Sequence, residues 1–146
     1  CVAAFIIGTI TMYIGWRFAI TMLAFFFSAS KIGDHSTDTP ANRNWKQVCC
    51  NSLIGTLCAI CYYSTMHTFD PYPFLATPSS STFFLGGFLA FYSCTTADTW
   101  ASEIGITSTS APRLITQPWR SVPKGTNGAV SVLGLAASVA GGLFIG

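Results

Sequence analysis

Apolar residues fall in five blocks, at 2–14, 18–29, 48–66, 82–97 and 129–146, separated by polar stretches. A membrane-crossing helix needs about 20 predominantly apolar residues, and the third and fifth blocks reach that length. The first two are short and meet at Gly15-Trp16-Arg17. One continuous helix of about 29 residues would be about 43 Å long, well beyond the hydrocarbon core. A tight helical hairpin of two short segments is therefore expected, the alternative being one long tilted helix interrupted at Arg17. The pattern predicts an all-α integral membrane protein, a helical bundle of about 4–5 membrane segments forming a single polytopic domain over 1–146. Neither end carries a polar flank, so the sequence is expected to be an internal piece of a longer chain. No basic n-region marks a signal peptide.

Composition agrees. Charged residues make up 8% of the chain and hydrophobic ones 51%, against about 25% charged in a soluble domain. Mean hydropathy is +0.52. The net charge of +2 is too small to argue for a nucleic-acid partner. The six cysteines lie mostly in or beside apolar blocks. Cys58-Ala59-Ile60-Cys61 has redox spacing but sits inside a predicted membrane segment without a second ligand pair, so it reads as packing.

Lys31, Arg43 and Lys46 fall in the polar stretch 30–47, and Arg113, Arg120 and Lys124 in 102–128. The intervening loop at 67–81 holds no Lys or Arg. Two crossings separate the basic stretches, and the positive-inside rule places both on the cytosolic face. The last block repeats small residues at Gly134, Ser138, Gly142 and Gly146. Such a stripe allows close helix packing, within one chain or in a homo-oligomer.

Scarce charge makes Asp98 and Glu103 functional candidates. They lie in Thr96-Ala97-Asp98-Thr99-Trp100-Ala101-Ser102-Glu103-Ile104-Gly105, at the end of the fourth block. Five residues apart, they diverge by about 140° on an ideal helix, and share a face only if the helix breaks between them. Asp98 and Ser102 do share one. Asp98 is expected to end a membrane segment facing the protein interior, with Glu103 just past it. Hard oxygen ligands of this kind suit Mg²⁺, which takes one or two carboxylates plus substrate phosphates; the alternative is an interfacial helix cap with Asp98 solvated.

A second constellation is Val122-Pro123-Lys124-Gly125-Thr126-Asn127-Gly128-Ala129-Val130-Ser131. Glycines let backbone amides approach phosphate, a following helix N-terminus adds positive potential, and Lys124 neutralises charge. The Walker A spacing is absent, and an ordinary loop with Asn127-Gly128 as its turn is the alternative. A third, Asn42-Arg43-Asn44-Trp45-Lys46-Gln47 with Asn51, suits either an interfacial anchor or phosphate contact through Arg43. Pro112-Arg113-Leu114-Ile115-Thr116 lies in the same loop as the Gly-Lys motif. His35 and His67 fall on opposite sides of the membrane and form no site. Carboxylates, a Gly-Lys loop and arginines on one membrane face are what phosphoryl transfer needs.

In the order and spacing of Arg43-Asn44-Trp45, Asn51, the stretch from Ala97 to Gly105, Pro112 to Thr116 and Val122 to Gly128, the chain resembles the transmembrane protein 19 family. Its plant members include phytyl-phosphate kinase. The resemblance implies a membrane kinase that converts an isoprenoid monophosphate to the diphosphate, with a nucleoside triphosphate, CTP or ATP, as donor. A more distant likeness to CTP-using lipid kinases implies that Asp98 and Glu103 hold Mg²⁺ and that Lys124, Gly125, Thr126, Asn127 and Gly128 bind phosphates. Arg43, Asn44 and Arg113 would neutralise charge. Ala97 departs from many relatives, which have Gly before the Asp. The expected partners are the lipid phosphate and the surrounding lipids, in the endoplasmic reticulum or plastid envelope. The alternatives are a transporter, or a structural multi-pass protein without catalysis.

Overall fold

The computed structural model describes residues 2–36, 45–66 and 80–146. Six helices, α1 (Val2–Ile14), α2 (Trp16–Ser36), α3 (Trp45–Cys50), α4 (Leu53–Thr65), α5 (Ser80–Ile106) and α6 (Val132–Ile145), account for most of these. Three short strands, β1 (Arg113–Leu114), β2 (Gln117–Ser121) and β3 (Ala129–Val130), lie between α5 and α6. The chain divides into two compact units, Cys1–Phe25 with Asn42–Tyr92, and Phe26–Ala41 with Ser93–Gly146.

In the first unit the chain reverses at Gly15, where α1 gives way to α2. Met22 comes back onto α1: its sulfur takes a 3.7 Å hydrogen bond from the Thr11 hydroxyl, and its methyl lies against Gly8. The hairpin expected from the first two blocks is present. The core is aromatic. Phe18 packs on Tyr62 (centroids 5.2 Å apart) and edge-on to Phe88 (4.7 Å), and Phe88 packs on Tyr92 (4.9 Å). Gly55 of α4 makes room for that cluster, since a Cβ there would fall 2.6 Å from the Tyr92 ring. The buried hydroxyl of Thr56 donates to the carbonyl one turn back, which satisfies it without a distant partner.

In the second unit α5 and α6 run antiparallel. Gly134 meets Ala101 and Gly105, while further along Gly141 meets Thr96 and Ala97. Gly134, Ala137 and Gly141 are the buried positions of α6. Trp100 stacks on Phe144 with centroids 5.4 Å apart, and its indole N–H reaches the Ser28 hydroxyl at 3.4 Å. The strands form an antiparallel sheet in the order β2-β1-β3.

Among the described residues no helix is long and apolar enough to cross a membrane. The third and fifth blocks do not form continuous helices of about 20 residues. A break at Asn51-Ser52 separates α3 from the 13-residue α4. Ala129-Val130 pairs with Arg113-Leu114 in the sheet instead of opening a helix, leaving α6 with 14 residues. The 27-residue α5 is long enough, but Ser, Thr, Gly, Asp98 and Glu103 dilute its apolar character.

Candidate functional site

The second unit contains a cleft of about 530 Å³, bounded by α5 from Asp98 to Ile106, by Pro112, by the segment 124–131, and by α6 from Gly134 to Ser138. Small-molecule sites span about 300–1,000 Å³. Asp98 and the 124–128 loop, distant in sequence, thus face one space.

α5 does not end at Asp98. It continues unbroken to Ile106, so Asp98 and Glu103 keep their helical divergence. Asp98, Ala101, Ser102 and Gly105 line the cleft; Glu103 does not. Glu103 is half-buried on another face of the helix. The resemblance implies that both carboxylates hold Mg²⁺; the cleft lining contains one carboxylate, Asp98, with the Ser102 hydroxyl one turn away. Ser102 donates its proton to the Thr99 carbonyl at 3.0 Å, leaving its lone pairs toward any ligand.

The opposite wall is the Gly-Lys loop. Gly125 and Gly128 hold φ of 84° and 76°, the left-handed region where a side chain costs about 1–2 kcal/mol. A Cβ at either would meet open space, so conformation and not crowding requires glycine. Thr126 folds back on the loop: its hydroxyl donates to the Pro123 carbonyl at 2.8 Å and its N–H to the same oxygen at 3.3 Å. It therefore offers no proton to a ligand. Among the described residues the N–H groups of Gly125, Asn127 and Gly128 make no hydrogen bond. Backbone N–H groups left unbonded in a glycine turn are available to an anion.

Lys124 spans the two walls. Its ammonium donates to the Ile106 carbonyl at 3.1 Å, capping the end of α5, and two protons remain for a ligand. Ser131 closes the site as the N-cap of α6. Its hydroxyl accepts from Gly134 N–H at 3.0 Å and donates to the Gly105 carbonyl at 3.3 Å. One hydroxyl thereby ties the start of α6 to the end of α5.

Arg113 is not part of the cleft lining. Its guanidinium donates to the Pro118 carbonyl at 3.2 Å across β1 and β2. Arg43 and Asn44 lie outside the described residues, as does His67. Ser138 lines the cleft and was legible only as a member of the small-residue stripe. Among the described residues no group of three His, Cys, Asp or Glu side chains could hold a metal ion by itself.

No solved structure matches the chain. Protein PGR of Arabidopsis thaliana is 34% identical over 155 residues, covering 99% of this chain and 54% of that protein. An uncharacterized membrane protein of Methanocaldococcus jannaschii, MJ0933, is 32% identical over 149 residues, with coverages of 97% and 56%. A third relative, the uncharacterized membrane protein sll0875 of Synechocystis, is 33% identical over 153 residues, covering 96% of this chain and 54% of its own. The chain spans about half the length of these relatives. The family described as integral membrane protein DUF92 matches residues 1–146, and the chain belongs to that family.

Proposed function

We propose that the cleft binds the phosphates of a lipid-borne substrate and a nucleotide, and that the protein of which this chain is part is a Mg²⁺-dependent phosphotransferase acting on an isoprenoid monophosphate. The observation that carries this reading is that Asp98, Lys124 and the loop residues Gly125, Asn127 and Gly128 line one cleft. The choice of an isoprenoid phosphate, and of CTP or ATP as donor, rests on the resemblance to the transmembrane protein 19 family.

The donor set fits Mg²⁺ in one particular way. Asp98 supplies a single carboxylate, with the Ser102 and Ser138 hydroxyls nearby on the lining. Mg²⁺ is commonly held through one or two carboxylates together with substrate phosphates and water, so the ion would enter with the phosphates. When bound it neutralises phosphate charge. Lys124 and the loop amides bind and orient the phosphoryl oxygens, and positioning with charge neutralisation is most of what phosphoryl transfer requires.

The same proposal holds that α1, α2, α4, α5 and α6 are the membrane segments of a polytopic bundle, with the sheet and the Gly-Lys loop on the cytosolic face. Large apolar side chains support it. Val2, Phe5 and Tyr13 on α1, Leu53 and Leu57 on α4, and Val132, Leu135, Val139 and Leu143 on α6 are all exposed. A lipid surround covers such residues, whereas water does not.

The test uses the full-length parent protein in lipid, with Mg²⁺, radiolabelled CTP or ATP, and phytyl or geranylgeranyl monophosphate. Labelled lipid diphosphate, lost in Asp98→Ala while the protein stays inserted, supports the reading. Absence of product with every combination, from protein shown to be folded, rejects it in favour of transport or a structural role.

A further inference from the structure

The sheet between α5 and α6 carries a surface that the cleft does not use. Every residue of β2, Gln117–Ser121, is exposed. Trp119 is 79% and Ile115 68% exposed, although burying an indole is among the largest apolar gains a side chain offers. The sheet is nevertheless held in shape. Arg113 clamps the Pro118 carbonyl at 3.2 Å, the Val122 N–H donates to Pro112 and the Ile115 N–H to Gly128, both at 3.0 Å. The Trp and Ile are thus presented on a braced scaffold.

The charged residues nearest to them in sequence have one sign. From Ile104 to Gly146 the sequence contains Arg113, Arg120 and Lys124 and no Asp or Glu. With α5 and α6 as the membrane segments proposed above, the sheet, which connects their adjacent ends, falls at the membrane surface. Trp favours the membrane–water interface, and each Arg or Lys near an anionic leaflet adds attraction.

We propose that the β1–β3 sheet is an interfacial anchor, which inserts Trp119 and Ile115 among the headgroups of an anionic leaflet while Arg113 and Arg120 meet lipid phosphates. This rests on the membrane placement of α5 and α6 proposed above and not on the phosphotransferase chemistry.

The experiment uses the full-length protein in phosphatidylcholine vesicles, with and without phosphatidylserine. The emission of Trp119 is isolated as the difference between the protein and its Trp119→Phe variant. Lipids brominated near the headgroup end of the acyl chain should quench that component, and iodide in the buffer should not. Phosphatidylserine should strengthen the quenching. Arg113→Gln and Arg120→Gln should each reduce the inserted fraction relative to the free one about fivefold. Quenching by iodide and not by brominated lipid would overturn the proposal by placing Trp119 in water. Shielding from both quenchers would overturn it too, because another part of the protein would then cover the sheet.

Discussion

The ammonium of Lys124 donates a 3.1 Å hydrogen bond to the carbonyl of Ile106, the last residue of α5. The residue most suited to bind phosphate also fastens its loop to the helix that carries Asp98. A cation at a helix C-terminus is favourable, so the contact both places the loop and holds one of the three ammonium protons. Lys124→Met removes both roles. Its effect on stability should be small, on the order of 0.5 kcal/mol, because the side chain is exposed. Phosphate-dependent activity should fall much further, and Lys124→Arg should preserve the cap while altering phosphate geometry. Thermal unfolding measured beside turnover separates the two effects; equal losses in both would show that Lys124 acts only as a fastener.

Asp98 and Glu103 should behave differently although they stand in one motif. Asp98 lines the cleft and Glu103 does not. Under the proposed function, Asp98→Asn, which preserves shape and removes charge, is expected to lower activity about 10–100-fold, the scale for a disturbed metal site. Glu103→Gln should retain most of it. Titrating Mg²⁺ in each variant checks the assignment: a raised Mg²⁺ requirement in Asp98→Asn alone agrees with the geometry, and the same shift in Glu103→Gln contradicts it.

Which residues line the cleft is more legible in the sequence than the architecture is. The Gly-Lys loop and the Asp98–Ser102 face follow from residue type and helical period, and the structure joins them in one cleft. The 140° separation of Asp98 and Glu103 is equally readable from helical period; that the helix runs on to Ile106 is not. The strands escaped notice because β1 and β3 are two residues each, too short to show alternation. The small-residue stripe was read at four-residue spacing, which drifts about 40° per step on a helix of 3.6 residues per turn. The buried positions are Gly134, Ala137 and Gly141; Gly142 and Gly146 of the stripe also lie near α5, while Ser138 lines the cleft.

Glycines of the second unit should respond according to their surroundings. A Cβ on Gly134 would lie 3.0 Å from the Ala101 carbonyl oxygen and 3.2 Å from the Gly105 Cα, and one on Gly141 3.0 Å from the Thr96 carbonyl oxygen. These neighbours are backbone and yield only if the helices part. Gly134→Ala and Gly141→Ala should each cost about 1–3 kcal/mol, the range for overpacking. Gly86, inside α5 with nothing within 4 Å, is the control from the other unit. Gly86→Ala should stabilise by roughly 0.5–1 kcal/mol. Thermal melts of the three variants in one detergent give the comparison, and a destabilised Gly86→Ala would mean that another surface packs on that position.

Gly125 and Gly128 make the reverse case, with space for a side chain but the wrong backbone for one. Alanine at either should cost about 1–2 kcal/mol or flip the peptide out of the left-handed region. Gly128 carries the greater consequence, because its carbonyl accepts from the Ile115 N–H at 3.0 Å and a flip would detach the loop from the sheet. Asparagine enters the left-handed region more readily than other side chains, so Gly125→Asn should keep the amide array where Gly125→Ala disturbs it. If those amides hold phosphate, the ability of pyrophosphate with Mg²⁺ to raise the melting temperature should follow the order Gly, Asn, Ala at position 125. A stabilisation indifferent to that residue would leave the loop as a connector, with Lys124 alone responsible for any anion binding on that wall.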